Sequence, residues 1–194
     1  MRAWNADFVS LSAHKIGGPK GVGALLVRRG VSIGELISGG GQERKRRSGT
    51  ENVPGIAGFA AAIGQVDFGA TRSLRDAFEQ QLLARFPEAH VFASTAPRLP
   101  NTSMVHLPGM DGETLLMQLD LAGFAVASGS ACSSGKREPS HVLLAMGASA
   151  DEARSSLRIS FGPGNAMDDV VALIGAIEAA YGRLQSMAGL RRTA

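Results

Sequence analysis

The chain has 194 residues, 44% of them hydrophobic and 19% charged, a composition that suits a globular protein and excludes a disordered one. Its formal charge is +3, and the main basic run, Arg44-Lys45-Arg46-Arg47, has no interleaved aromatics, so no nucleic-acid partner is expected. One cysteine excludes an internal disulfide, and no apolar stretch approaches the ~20 residues of a membrane span. The first residues lack the apolar core of a secretory signal, and we expect a cytoplasmic protein without membrane association.

In chain order, Asp7–Ser12 is a short apolar run that predicts a strand leading into the loop Gly17-Gly18-Pro19-Lys20-Gly21. Val22–Val27 predicts a second strand. Pro54–Val66, rich in Ala, Ile and Phe, predicts a buried helix with Pro54 in its first turn. Composition shifts near 66–72, which places a domain boundary there, with residues 1–70 on one side and 71–194 on the other. Leu74, Phe78, Leu82 and Phe86 recur every four residues, the pattern of one face of an amphipathic helix. Val91–Ala93 and Thr102–Leu107 predict strands, Glu113–Leu121 a helix, and Phe124–Ala127 a further strand. Leu157, Ile159 and Phe161 alternate with Arg158 and Ser160, a two-residue period, before a closing helix through Val171, Ile174, Ile177, Tyr181 and Leu184. Helices mixed with strands give an α/β or α+β class.

Four segments hold chemistry. In Ser12-Ala13-His14-Lys15-Ile16-Gly17-Gly18-Pro19-Lys20-Gly21, a hydroxyl and an imidazole precede the lysine, and glycines admit an anion close to the backbone. Those are the needs of a lysine that forms a Schiff base with a phosphate-bearing cofactor, although an isolated lysine is ordinarily just solvated. Gly39-Gly40-Gly41-Gln42-Glu43-Arg44 through Arg47-Ser48-Gly49-Thr50-Glu51-Asn52 offers backbone N–H groups and a hydroxyl to phosphate oxygens, or is a surface loop. In Ser128-Gly129-Ser130-Ala131-Cys132-Ser133-Ser134-Gly135 the thiol sits among small residues, with Lys136 and Arg137 nearby to favour a reactive thiolate. The alternative is a small buried hydrophobe. Gly129 to Gly135 has the wrong spacing for a nucleotide-binding P-loop. Arg158 interrupts an apolar strand, so its planar fork either holds a ligand carboxylate or forms a structural ion pair.

Taken together these segments resemble the NifS/IscS-type cysteine desulfurases, pyridoxal-phosphate (PLP) enzymes of aminotransferase class V. The resemblance runs from about Ala6 to Leu184, with the motifs in the family's order. It implies part of the type I fold of PLP-dependent transferases, the end of a large domain plus a small α+β C-terminal domain. It also implies that Lys15 holds PLP, that Ser12 and His14 touch its phosphate, and that Thr50 reaches the phosphate across a homodimer interface. Cys132 is then the sulfur acceptor, and Arg158 binds the carboxylate of the substrate L-cysteine. An iron–sulfur scaffold or another acceptor would take the sulfur, and Cys132 could contact a cluster on such a partner; no metal site intrinsic to the chain is implied. Lys45 stands where the family often has glycine. Family members are much longer, and the part beyond this chain carries the aromatic imidazole and the aspartate of the cofactor ring. Two other readings stay open: another class V enzyme, such as a selenocysteine lyase, and a catalytically incompetent fragment acting at most as an interaction module.

Overall fold

The computed structural model describes residues 2–67, 69–128 and 138–187, and contacts divide it into two compact units, 1–66 and 67–194. Cys132 and its loop lie outside the described residues. No described helix is long and apolar enough to cross a membrane.

In the first unit a turn of 3-10 helix, η1 (Arg2–Trp4), precedes strand β1 (Phe8–Ser12). β1 pairs antiparallel with β2 (Gly23–Val27), Phe8 opposite Val27 and Ser12 opposite Gly23. Between them stands a second 3-10 turn, η2 (Ala13–Ile16). Side chains alternate across a strand, so Phe8 and Leu25 lie on one face of the ribbon and Leu11 and Leu26 on the other. Both faces are apolar and both are bare: Phe8 is 48% exposed and Leu25 52%. Helix α2 (Val53–Gln65) begins at Asn52, whose Oδ1 accepts a hydrogen bond from the Gly55 N–H at 3.1 Å, with Pro54 in the first turn. The sequence predicts this helix to be buried, and the structure corrects that. Only Gly55 and Phe59 of α2 are buried, and Ile63 is 55% exposed. A hairpin and a four-residue turn offer too little surface to cover thirteen residues of helix.

The segment between β2 and α2 holds a short helical turn, α1 (Gln42–Lys45), with left-handed backbone at Glu43 (φ 49°), Arg44 (φ 56°) and Lys45 (φ 63°). Three successive non-glycine residues in that region are costly, because each Cβ crowds its own backbone. The turn is pinned from outside. Leu36 N–H donates to the Arg46 carbonyl at 2.8 Å, Ser48 N–H to Ile37 at 2.9 Å, and Ser48 Oγ to Gly40 at 2.8 Å.

The second unit has a core of its own. Its antiparallel sheet has the order β3-β4-β6-β5, formed by β3 (His90–Val91), β4 (Thr102–His106), β6 (Ser156–Ser160) and β5 (Ala127–Ser128). Helices α3 (Arg72–Arg85), α4 (Gly112–Leu121) and α7 (Met167–Met187) pack together against the sheet. Leu74, Phe78 and Leu82 of α3 meet Val105, Leu157, Ile159, Leu119 and Ile174 in one cluster. Phe86, the next residue of the four-residue pattern, ends α3 and meets Tyr181 of α7 edge-on at 5.2 Å. Register explains the alternation in β6: Leu157 and Ile159 pair with Val105 and Ser103 on the buried face, while Arg158 pairs with Met104 on the other.

The strand predicted for Phe124–Ala127 begins later than expected, at Ala127. Gly123, in the left-handed region at φ 88°, ends α4, and the Phe124 N–H donates back to the Leu119 carbonyl at 2.9 Å. This is a Schellman cap, and it occupies the donor that would start a ladder. Pairing with β6 therefore begins only at Ala127. Two short helices, α5 (His141–Ala145) and α6 (Ala150–Arg154), lead into β6.

Candidate functional site

The lysine turn is built on one buried methyl. Ala13 is fully buried, its N–H donates to the Val22 carbonyl at 3.1 Å, and its carbonyl accepts from Gly18 N–H at 2.9 Å. Gly17 closes the turn in the left-handed region at φ 81°. Gly18 passes so near that a Cβ there would lie 3.0 Å from that of Ala13. Around this fixed point Ser12, His14 and Lys15 are all exposed, and the Ser12 hydroxyl makes no capping bond to the turn. An amine beside a free hydroxyl and an imidazole is a donor set matching a carbonyl group plus a phosphate, so these residues fit PLP.

α2 packs on this turn. A Cβ on Gly58 would fall 2.6 Å from Pro19 Cγ, so helix and loop meet where only glycine leaves room. Sequence reasoning passed over Gly58. A glycine inside an apolar helix, where it costs stability, is the signal of a close approach. Thr50, two residues before the α2 cap, is exposed in the same unit.

Arg158 belongs to the second unit. It is exposed on the sheet face away from the buried cluster, opposite Met104 and Ala127. Among the described residues its side chain has no hydrogen bond and no carboxylate within ion-pair distance, so no structural ion pair accounts for it there. Its strand is fixed by the ladder on either side. Just beyond the strand, Phe161 N–H donates to the Asn101 carbonyl at 2.8 Å, and Asn101 Nδ2 donates to that of Phe161 at 3.3 Å. The loop that delivers Asn101 is tied to α3 by Arg98, whose Nη2 lies 2.7 Å from Glu79 Oε2, and by Arg75, which donates to the Leu99 carbonyl at 2.9 Å. Burial opposes charge on Glu79, but the Arg98 hydrogen bonds and the Arg98 and Arg75 charges win, holding its carboxyl below its ordinary value. Beside the strand a cavity of about 290 Å³ opens between Phe124, Val126, Ser160, Phe161, Asn165 and Asp169.

The structure thus brings Ser12, His14 and Lys15 onto one turn, with Thr50 elsewhere in the same unit, and sets Arg158 on a strand of the other. Among the described residues no group of three or more His, Cys, Asp or Glu converges as a metal site.

Known proteins are similar to this chain over most of its length. The family model for aminotransferase class-V matches residues 1–173. The cysteine desulfurase of Cereibacter sphaeroides is 50% identical over 163 residues, 82% of this chain and 42% of that protein. That of Gluconacetobacter diazotrophicus is 45% identical over 193 residues, 96% of this chain and 48% of the relative. Among solved structures, a NifS-like protein from Rickettsia africae superposes with a TM-score of 0.81 at 36% identity, covering 93% of this chain and 49% of its own. SspA in complex with cysteine gives 0.60 at 33% identity, covering 84% of this chain and 46% of its own. The chain spans about half the length of these relatives, and its mixed α/β architecture is that of the NifS-like proteins. A match that extends from before Lys15 to beyond Arg158 makes this chain a member of the class-V aminotransferase family.

Proposed function

We propose that the chain contributes the lysine turn, the sulfur-accepting loop and the carboxylate-binding arginine of a PLP-dependent cysteine desulfurase, converting L-cysteine to L-alanine. The observation that carries this is the Lys15 turn, where an exposed lysine follows exposed Ser12 and His14 on a backbone locked by buried Ala13. Lys15 would hold PLP, with Ser12 and His14 toward its phosphate and Thr50 serving the partner subunit of a homodimer. When bound, PLP supplies an electron sink for the carbon bearing the amine. Arg158 takes the substrate carboxylate in its fork, which orients the amino acid. The Lys15 amine is the group suited to move the α-proton. The Cys132 thiolate attacks the substrate sulfur; the carbon–sulfur bond breaks, alanine leaves and the sulfur stays on Cys132 as a persulfide. That persulfide suits delivery to an iron–sulfur scaffold or another thiol acceptor, in a cytoplasmic setting. The two-domain reading assigns residues 1–70 to the large, cofactor-binding domain and 71–194 to the small one.

The test is to add PLP to the purified chain, look for a visible band that borohydride removes, and measure alanine formed from cysteine. A reducible band on Lys15 with alanine release supports the desulfurase reading. A band without alanine from cysteine, but with alanine from selenocysteine, favours a lyase. Absence of any band favours the incompetent fragment.

A further inference from the structure

His90 and His106 stand opposite each other across the β3–β4 pair, ring centroids 4.9 Å apart and planes at 45°. Phe92 meets His90 edge-on at 4.6 Å, and His106 is only 9% exposed. Three elements bring charged or titratable groups to this spot: His90 from β3, His106 itself from β4, and Glu152 from α6. Glu152 is already engaged in the α6 capping box, its Oε2 accepting from Ser149 N–H at 2.7 Å.

Hydrogen bonding assigns the tautomer. His106 Nδ1 lies 2.8 Å from Ser155 Oγ, and the same oxygen lies 2.7 Å from the Asp151 carbonyl, which can only accept. The single hydroxyl proton therefore goes to Asp151, and His106 Nδ1–H donates to Ser155. Neutral His106 keeps its lone pair on Nε2, the one atom able to take a further proton.

We propose that the His90–His106 pair is an acid-operated latch, in which protonation of both rings releases the edge strand β3 from β4. Two imidazolium ions 4.9 Å apart repel, and one of them would be nearly out of water. The ladder that opposes release is short: among the described residues β3 pairs through His90 and Val91, with one further bond from Phe92 N–H to the Met104 carbonyl at 2.9 Å. Burial first, and His90 second, hold His106 below its ordinary value of 6.5, against a weaker upward pull from Glu152. A histidine favoured neutral in the folded state contributes fully above 6.5, and that contribution fades as pH falls through its lowered value. Release would withdraw Ala89 and Val91 from the core of the second unit.

Hydrogen exchange of the 194-residue chain at pH 7.5 and 5.5, corrected for intrinsic rates, tests this. The Phe92 amide, which donates to the Met104 carbonyl across the pair, should open roughly tenfold more at the lower pH, while the amides of α7 do not. His106→Asn keeps a donor for Ser155 but cannot titrate, and should lose the difference. Equal opening at both pH values in the unmodified chain overturns the proposal, as does a difference that survives in His106→Asn. If that variant shows no protection at pH 7.5, imidazole NMR of the unmodified chain decides. Two coupled titration steps support the latch, and two independent ones overturn it.

Discussion

Pro19 and Gly58 touch where α2 crosses the lysine turn, and a Cβ on Gly58 would stand 2.6 Å from Pro19 Cγ. A proline ring is not the loose end of a flexible side chain, so a larger residue at 58 must push the loop. We expect Gly58→Val to shift the Lys15 turn and to lower capture of PLP by roughly 10-fold or more, since misplacement of about 1 Å can cost on the order of 100-fold. Titration of the visible band with PLP checks it, with Gly64→Ala, where a Cβ meets open space, as the control expected to bind normally.

Lys45 sits at φ 63°, in the left-handed region that glycine enters freely. A glycine there would carry no Cβ to crowd that backbone. Lys45→Gly should stabilise the Gln42–Lys45 turn by up to about 1 kcal/mol, the relieved strain less the entropy that glycine adds to the unfolded chain. Urea denaturation with both proteins side by side would show a higher midpoint for the glycine variant.

Glu79→Gln should destabilise the second unit by about 2 kcal/mol, because it removes the anion that holds Arg98, while the buried Arg75 keeps Asp76 Oδ1 at 2.6 Å. The pH dependence has a definite sign. A carboxyl held below 4.5 in the folded state contributes in full above 4.5 and loses that contribution as pH falls through its lowered value. Melting curves between pH 7 and pH 3 should therefore steepen their decline below 4.5 in the unmodified chain and not in Glu79→Gln.

Arg158→Ala should leave folding unchanged to within about 0.5 kcal/mol, because the side chain is exposed and makes no bond among the described residues. In a preparation that turns over cysteine, KM should rise roughly 10- to 100-fold through loss of a charge-assisted pair with the substrate carboxylate. Arg158→Lys should recover only part of it, as a point charge does not replace the fork.

How far the sequence carried depended on how local each cause was. Leu74, Phe78 and Leu82 announced α3 because burial imposes a period on a helix, and Leu157 and Ile159 announced β6 for the corresponding reason in a strand. Phe124 misled because its apolar side chain says strand while its N–H is taken by the cap of α4, a backbone fact set by Gly123. The exposure of α2 was not legible either. Pro54–Val66 is written for a buried setting, and the sequence holds no statement of what is available to bury it. The lysine turn was legible as chemistry through Ser12, His14 and Lys15. The support beneath it, Ala13 and the Pro19–Gly58 contact, was not, since contacts between distant small residues leave no periodic trace.

The β1–β2 ribbon is oily on both sides, and it holds the amine on which the proposed chemistry turns. Left in water, such a surface adheres to its like, and clumping competes with every useful encounter. Solubility and cofactor capture should therefore rise and fall together, because whatever shields the ribbon also steadies the lysine at its end.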